Sequence, residues 1–213
     1  MTRMSSPYDT YASPLAARNA SEQMLRLWSP RHKFNTWRRV WLAVAEAQHE
    51  LGLPVSKEQV EELRAVVERP GGITDAEMKA AEKYERELRH DVMAHVHALG
   101  DSCPKAKGII HLGMTSQDVN DNAELRLLTQ ASYLICAKLN RAVLALADIA
   151  ERFANTPALA FTHYQAAQPT TVGRRAAQWA YDLYLCLARQ EQGWASIAET
   201  RRGLRGATGT QAA

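Results

Sequence analysis

Long apolar runs are missing from this 213-residue sequence. Charged residues break the best candidates every few positions, so no segment reads as a membrane span. Met1 to Tyr11 holds no apolar core of the kind a secretory signal needs, and export is not expected. Cysteine is scarce: Cys103, Cys136 and Cys186 are scattered, and none has metal-ligand spacing. An odd, sparse count argues against a disulfide scaffold and for a reducing, cytoplasmic setting. Charge of one sign is also in short supply, the formal net charge being +3. The one dense basic run, Arg201-Arg202-Gly203-Leu204-Arg205, reads as a solvated helix end rather than a phosphate track, so no nucleic-acid partner is expected. The modest positive balance remains compatible with an anionic small molecule.

Strict alternation of apolar and polar residues is absent too, and no internal repeat is visible. What fills the chain is helical periodicity. Ser29-Pro30 reads as an N-cap with proline in the first turn, followed by an apolar face of Phe34, Trp37, Val40, Trp41, Val44 and Leu51. Gly52 and Pro54 end that helix. Ser56 with Gln59 forms a capping-box pair before Val60, Leu63 and Val67. Gly71-Gly72 breaks the pattern, Asp75 opens a helix through Met78, Ala81 and Leu88, and a short one runs from about His90 to Leu99. Gly100 to Gly113 reads as a connection. Proline and glycine then vanish from Ser116 to Asn155, while Leu125, Leu128, Ile135, Leu139, Val143, Leu146, Ile149 and Phe153 keep three-to-four spacing. A helix of that length runs about 60 Å and needs neighbours of similar length. After a short loop from Ala158 to Pro169, a second long helix spans about Thr171 to Arg202. Two long helices joined by a short loop are expected to lie antiparallel, with more apolar surface than the pair can hide. The expected fold class is all-α, with a small helical domain over residues 1–114 and the first, incomplete part of a long-helix bundle over 115–213.

Four polar clusters interrupt this framework. In Arg89-His90-Asp91, followed by His95 and His97, the histidines lack metal-ligand geometry: His90 and His97 share a helix face, but His95 lies about 140° round from His90. They read as surface or core histidines bonded to neighbours, or, with the guanidinium fork beside them, as donors for carboxylate or phosphate. His111-Leu112-Gly113-Met114-Thr115-Ser116-Gln117-Asp118 delivers two hydroxyls to a helix start, either as plain N-caps or as caps that also leave donors for an anion. Phe161-Thr162-His163-Tyr164-Gln165-Ala166-Ala167-Gln168 crowds hydrogen-bonding groups around an imidazole, a group able to exchange protons near neutral pH. Gly206-Ala207-Thr208-Gly209-Thr210-Gln211 is a small-residue loop that reads first as a flexible tail.

Taken together, in this order and spacing, the blocks resemble the fumarase/aspartase superfamily and the adenylosuccinate lyase family within it. The resemblance is carried by Ser13-Pro14-Leu15-Ala16-Ala17-Arg18, by Arg89-His90-Asp91-Val92 and by His111-Leu112-Gly113 with Thr115-Ser116. Thr162-His163-Tyr164-Gln165 with Ala167-Gln168, and Thr170-Thr171-Val172-Gly173-Arg174-Arg175, complete it. The resemblance implies a carbon–nitrogen lyase that releases fumarate from adenylosuccinate and from the succinyl-carboxamide ribotide of purine synthesis (SAICAR to AICAR). It implies no cofactor or metal, and a cytoplasmic homotetramer whose active sites are shared between subunits. Arg18 and Asn19 would hold the nucleotide phosphate, and Arg89, His90 and Asp91 would line the nucleotide site. Thr115 and Ser116 would bind a succinyl carboxylate, and His163, helped by Thr162, would protonate the departing nitrogen. Asn19 stands where such enzymes usually have tyrosine, and Ala166 where they have proline. The mobile loop that carries their serine base, Ser-Ser-x-Met-Pro-x-Lys-x-Asn, is not found in this stretch. The 213 residues are therefore expected to be part of a longer chain and inactive alone. The alternatives are a non-catalytic helical assembly module and another lyase of the superfamily, such as an argininosuccinate lyase.

Overall fold

The computed structural model describes residues 13–200 and 202–210. In chain order the elements are α1 (Pro14–Asn19), α2 (Glu22–Leu27), α3 (Pro30–Glu50), α4 (Lys57–Val67), α5 (Asp75–Leu88), α6 (Asp91–Ser102), α7 (Ser116–Arg152), β1 (Pro157–Thr162), β2 (Gln165–Thr171) and α8 (Val172–Glu199). Among the described residues the fold is all-α apart from one small hairpin of β1 and β2. Helix starts follow the chemistry of the sequence. Ser29 Oγ accepts the His32 N–H, and both Ser56/Gln59 and Thr74/Glu77 close reciprocal capping boxes that answer otherwise orphaned N–H groups. α3 ends in a Schellman pair, with Gly52 N–H bonded to His49 O and Leu53 N–H to Gln48 O, each at 3.0 Å.

Two compact units make up the chain: the residues up to Leu127 with those from Thr200 onward, and residues Leu128–Glu199. In the first, α3, α4, α6, the segment after α6 and the start of α7 build a core of Trp37, Trp41, Leu42, Leu63, Val92, Leu99, Ile109, Val119 and Ala123. Trp37 and Trp41, one turn apart on α3, are its largest members, and burial of such rings contributes about 3 kcal/mol each relative to exposure. Inside this unit lies a buried ion pair. Arg38, 1% exposed, donates to Glu77 Oε1 at 3.0 Å, and Ser102 Oγ donates to the same oxygen at 2.9 Å. Glu77 Oε2 accepts from Arg69 and from both the N–H and the hydroxyl of Thr74. One carboxylate thus ties α3, α5, the end of α6 and the α4–α5 connection. His95 is buried nearby, stacked on Phe34 with ring centroids 3.7 Å apart. Burial, aided by the Arg38 charge, pushes its pKa from 6.5 down to about 3, so it is packed as a neutral ring.

In the second unit, Ser132 Oγ on α7 accepts from Gln190 on α8 at 3.2 Å, while Gly173 near the start of α8 lies against Ala150 and Ala154 near the end of α7. These pairings make the two helices antiparallel, as expected. A Cβ on Gly173 would meet Ala150 O at 2.4 Å, so the crossing admits no side chain there. The segment read as a loop from Ala158 to Pro169 is instead a two-stranded antiparallel hairpin, with Pro157 opposite Thr171 and Thr162 opposite Gln165. Nearly every residue of the hairpin is exposed or half-exposed, so neither face imposed an alternating pattern on the sequence.

Two further expectations are corrected. α6 does not stop before Gly100 but continues to Ser102, and the bare Cα of Gly100 lies against the Lys107 side chain, which a Cβ would meet at 2.7 Å. The buried stripe of α7 is Val119, Ala123, Leu127 and Ala131, at four-residue steps, whereas Leu128, Ile135 and Ile149 of the expected face are exposed. α8 likewise exposes Trp179, Tyr181 and Tyr184. Two helices and a hairpin lack the surface to cover one another's large side chains.

Glu77→Gln is expected to destabilise the first unit by about 3–5 kcal/mol, because it strips the counter-charge from a buried guanidinium; a urea midpoint close to wild type would contradict this. His95 must take up a proton on unfolding below its unfolded value of 6.5, so the stability it contributes is complete above that pH and is lost progressively as pH falls toward about 3. His95→Phe should flatten the dependence of unfolding midpoint on pH in that window, and an unchanged slope would contradict the assignment.

Candidate active site

Two helix starts meet in the first unit. Arg89 caps α5 in the left-handed region, at φ 56°, with its N–H on Glu85 O at 2.8 Å, and this sharp turn sends the chain directly into α6. His90 is the N-cap of α6: its Nδ1 accepts the Met93 N–H at 3.2 Å. A ring nitrogen that accepts holds no proton, so the neutral imidazole carries its hydrogen on Nε2. That nitrogen lies 3.3 Å from Ser116 Oγ, the first residue of α7. His90 and Ser116, 26 positions apart, are therefore in contact, and Asp91 and Arg89 flank them on exposed backbone.

The start of α7 is held by Asp118, whose side chain is buried at 1% exposure. Its Oδ2 accepts the Thr115 N–H at 3.1 Å, the half of a capping box that an N3 acid supplies. The same oxygen accepts Gly206 N–H at 3.2 Å, and Oδ1 accepts Arg205 N–H at 3.1 Å. Burial alone would push this carboxyl up, but the three backbone donors and the Arg205 charge hold it below the usual range. Around it, Arg205 pairs with Asp121 at 2.8 Å, and Asn122 exchanges bonds with Arg202 N–H and Gly203 O. The stretch from Arg202 to Gly206 thus folds back onto the start of α7 instead of trailing as a tail, and Arg202 and Arg205 both pair with Asp121, whereas Arg201 of the basic run lies outside the described residues. Gln211 lies outside the described residues.

His111, in the left-handed region at φ 67°, accepts the Trp41 indole N–H through Nδ1 at 3.1 Å. Burial lowers its pKa, opposed by the Asp118 charge and assisted by His90, so it sits as a neutral ring beside both. His111, Asp118 and Arg205 are the members of this cluster that reading the sequence did not select as site residues. An acid three positions after the N-cap Thr115 was the available signal for Asp118; nothing local marks Arg205 as its partner.

The remaining candidates lie elsewhere. Arg18 and Asn19 are exposed at the end of α1, in the first unit. His163 and Thr162 belong to the second unit. Thr162 ends β1, and His163 with Tyr164 forms the two-residue hairpin turn, both with positive φ, 50° and 62°, as a primed turn requires. His163 is exposed, and Tyr164 is fully so at 105%. The polar groups around this imidazole are therefore solvated, not packed. Among the described residues, the non-glycine positions with positive φ are Arg89, His111, His163 and Tyr164, all inside the polar blocks singled out above. Left-handed backbone costs an L-residue roughly 1–2 kcal/mol and persists where surrounding structure enforces it, a pattern concentrated at functional sites. No group of three or more His, Cys, Asp or Glu placed to hold a metal ion is found among the described residues.

Known proteins resemble this chain over nearly its whole length. A family model described as "Lyase" matches residues 15–210. The adenylosuccinate lyase of Saccharomyces cerevisiae is 45% identical over 206 residues, and that of Schizosaccharomyces pombe is 44% identical over 211; each alignment covers 96% of this chain and 42% of the relative. The chain thus spans about two-fifths of the length of the curated relatives it matches. Among solved structures, a fumarate lyase from Mesorhizobium sp. BNC1 superposes with a TM-score of 0.79 at 24% identity, over 90% of this chain and 44% of that one, a likeness of fold. With helix starts, hairpin and returning segment all inside the matched region, the chain belongs to the lyase family of the fumarase/aspartase superfamily.

Proposed function

We propose that the protein carrying this chain is an adenylosuccinate lyase, eliminating fumarate from adenylosuccinate to leave AMP, and from SAICAR to leave AICAR. The observation that carries the reading is the His90–Ser116 contact, which joins the starts of α6 and α7 into one polar end beside Thr115. The similarity to adenylosuccinate lyases at 45% and 44% identity supports the choice of substrate.

The substrate carries a phosphate and two carboxylates. In this reading Thr115 and Ser116 hold a succinyl carboxylate with hydroxyl and N–H donors at the positive end of the α7 dipole. Arg89, His90 and Asp91 line the nucleotide, and Arg18 and Asn19 hold its phosphate. A base removes the proton from the carbon beside a carboxylate, and negative charge grows on that carboxylate, where preorganised donors lower the barrier. The carbon–nitrogen bond breaks, its electron pair goes to nitrogen, and His163, steadied by Thr162, supplies the proton. The exposed turn is a geometry suited to an imidazole that closes on substrate. The base is assigned, by resemblance, to a serine on a loop not found in these residues, so the 213-residue chain alone is inactive. The chemistry is redox-neutral and calls on no cofactor. The exposed Trp179, Tyr181, Tyr184 and Ile135 of the second unit favour burial between copies in a homotetramer in the cytoplasm.

The full-length protein is expected to release fumarate from adenylosuccinate, followed as absorbance change, and His163→Ala is expected to slow turnover by about 10²-fold or more. A His163→Ala enzyme at wild-type rate would remove the acid assignment. Ser116→Ala should raise the KM for adenylosuccinate by about tenfold, for loss of one donor to a charged group; an unchanged KM would dismiss its role on the carboxylate. The exposed apolar faces also fit a non-catalytic assembly module, and a full-length protein that forms oligomers but releases no fumarate from any succinylated substrate would establish that reading instead.

A further inference from the structure

Asp118 is the one buried carboxylate in the candidate site, and its bonds run to two parts of the chain nearly ninety positions apart. Thr115 N–H and Gly206 N–H converge on a single oxygen, Oδ2, while Arg205 N–H takes Oδ1. The attachment is reinforced outside the buried centre, by Arg205 with Asp121 and by the exchange between Asn122 and the Arg202–Gly203 backbone. A buried acid needs donors, and only one of the three that Asp118 uses comes from its own helix. The returning segment supplies the others. Thr115, whose N–H the carboxylate grips, is the residue immediately before Ser116, and Ser116 touches His90.

We propose that Asp118 is a positioning residue for the elimination, joining the start of α7 to the segment 202–206 so that the Thr115–Ser116 donors and the stretch leading into Gly206–Thr210 are held in one fixed relation. The inference rests on the lyase reading above. Asp118 does not touch substrate; it acts through the backbone it holds. The carboxylate answers the N–H groups of Thr115, Arg205 and Gly206, which leaves the Ser116 hydroxyl free to face His90 and a ligand. An asparagine of the same shape turns an amide N–H₂ toward one set of donors, so it retains volume but keeps only part of the grip.

The test uses the full-length protein with Asp118→Asn, read by amide hydrogen exchange and by steady-state kinetics. Exchange is expected to rise about tenfold or more in both 113–120 and 202–210, with peptides of α3 to α5 unchanged, since each bond lost is one to a charged acceptor. The KM for adenylosuccinate is expected to rise about tenfold, a change that a smaller folded fraction cannot produce. Should Asp118→Asn fail to fold, Asp121→Asn, which removes the charge pairing with Arg205 and Arg202 and leaves an amide oxygen to accept from Gln117, is expected to raise exchange at 202–210 and to raise KM by about threefold. Loosening confined to one of the two segments in Asp118→Asn, or loosened segments with an unchanged KM in either variant, overturns the proposal. Wild-type protein that releases no fumarate overturns the lyase reading instead, and the exchange result still decides whether Asp118 joins the two segments.

Discussion

A helix of 37 residues begins with backbone N–H groups that no earlier turn can satisfy, and at α7 the answer to that deficit organises its surroundings. Asp118, buried one turn in, turns back to take the Thr115 N–H and then has lone pairs to spare in a place with little water. An ionised carboxylate left unpaired there costs several kcal/mol, whereas each hydrogen bond to it returns about 1.5–3 kcal/mol. The balance favours drawing in more donors, and Arg205 and Gly206 provide them. The same carboxylate therefore caps a helix and fastens the chain that returns after α8.

Glu77 solves the equivalent problem at the start of α5. It too is a capping-box acid, at N3 of α5, and it too collects donors from distant segments, here Arg38, Arg69 and Ser102. Capping acids thus act twice as long-range ties, which explains how a unit built from six helices and a helix start holds register around two tryptophans. Buried histidines complete the picture: His95 and His111 are both driven toward the neutral ring by burial, one stacked on Phe34, the other accepting from Trp41. His90 differs, being exposed, with Nδ1 spent on a cap and Nε2 on Ser116. Three histidines on neighbouring elements therefore have three distinct duties set by burial and by which nitrogen is engaged.

The second unit is organised on another principle. Its hairpin is solvated on both faces, and its helices cross where Gly173 lets backbone meet backbone, leaving large side chains outside. The two left-handed residues at the hairpin tip, His163 and Tyr164, are enforced by a two-residue turn rather than by packing. An imidazole so displayed is positioned by its backbone alone, in contrast to the tightly bonded His90.

Local rules were enough to read much of this chain from its residues. Serine and threonine caps, the Gly52 stop and the apolar steps of α4 and of α3 as far as Val44 are signals confined to one or two turns, and their outcomes match because short-range sterics and hydrogen bonding decide them, whereas Leu51 caps the end of α3 and is exposed. The polar blocks at Arg89, His111, Thr115 and His163 stood out by composition, and backbone at positive φ falls among them. Other features depended on partners remote in sequence. The hairpin carries no alternation because nothing buries either face; α7 buries Val119, Ala123, Leu127 and Ala131 while Leu128 and Ile135 stay exposed, a choice made by where its neighbours lie; and the returning segment was invisible because its bonds to Asp118 are made by backbone N–H groups, which every residue but proline possesses. Residue identity specifies which helices start and stop, while the pairing of Asp118 with Arg205 and Gly206, and of His90 with Ser116, exists only once the chain has closed on itself and water has been removed from between them.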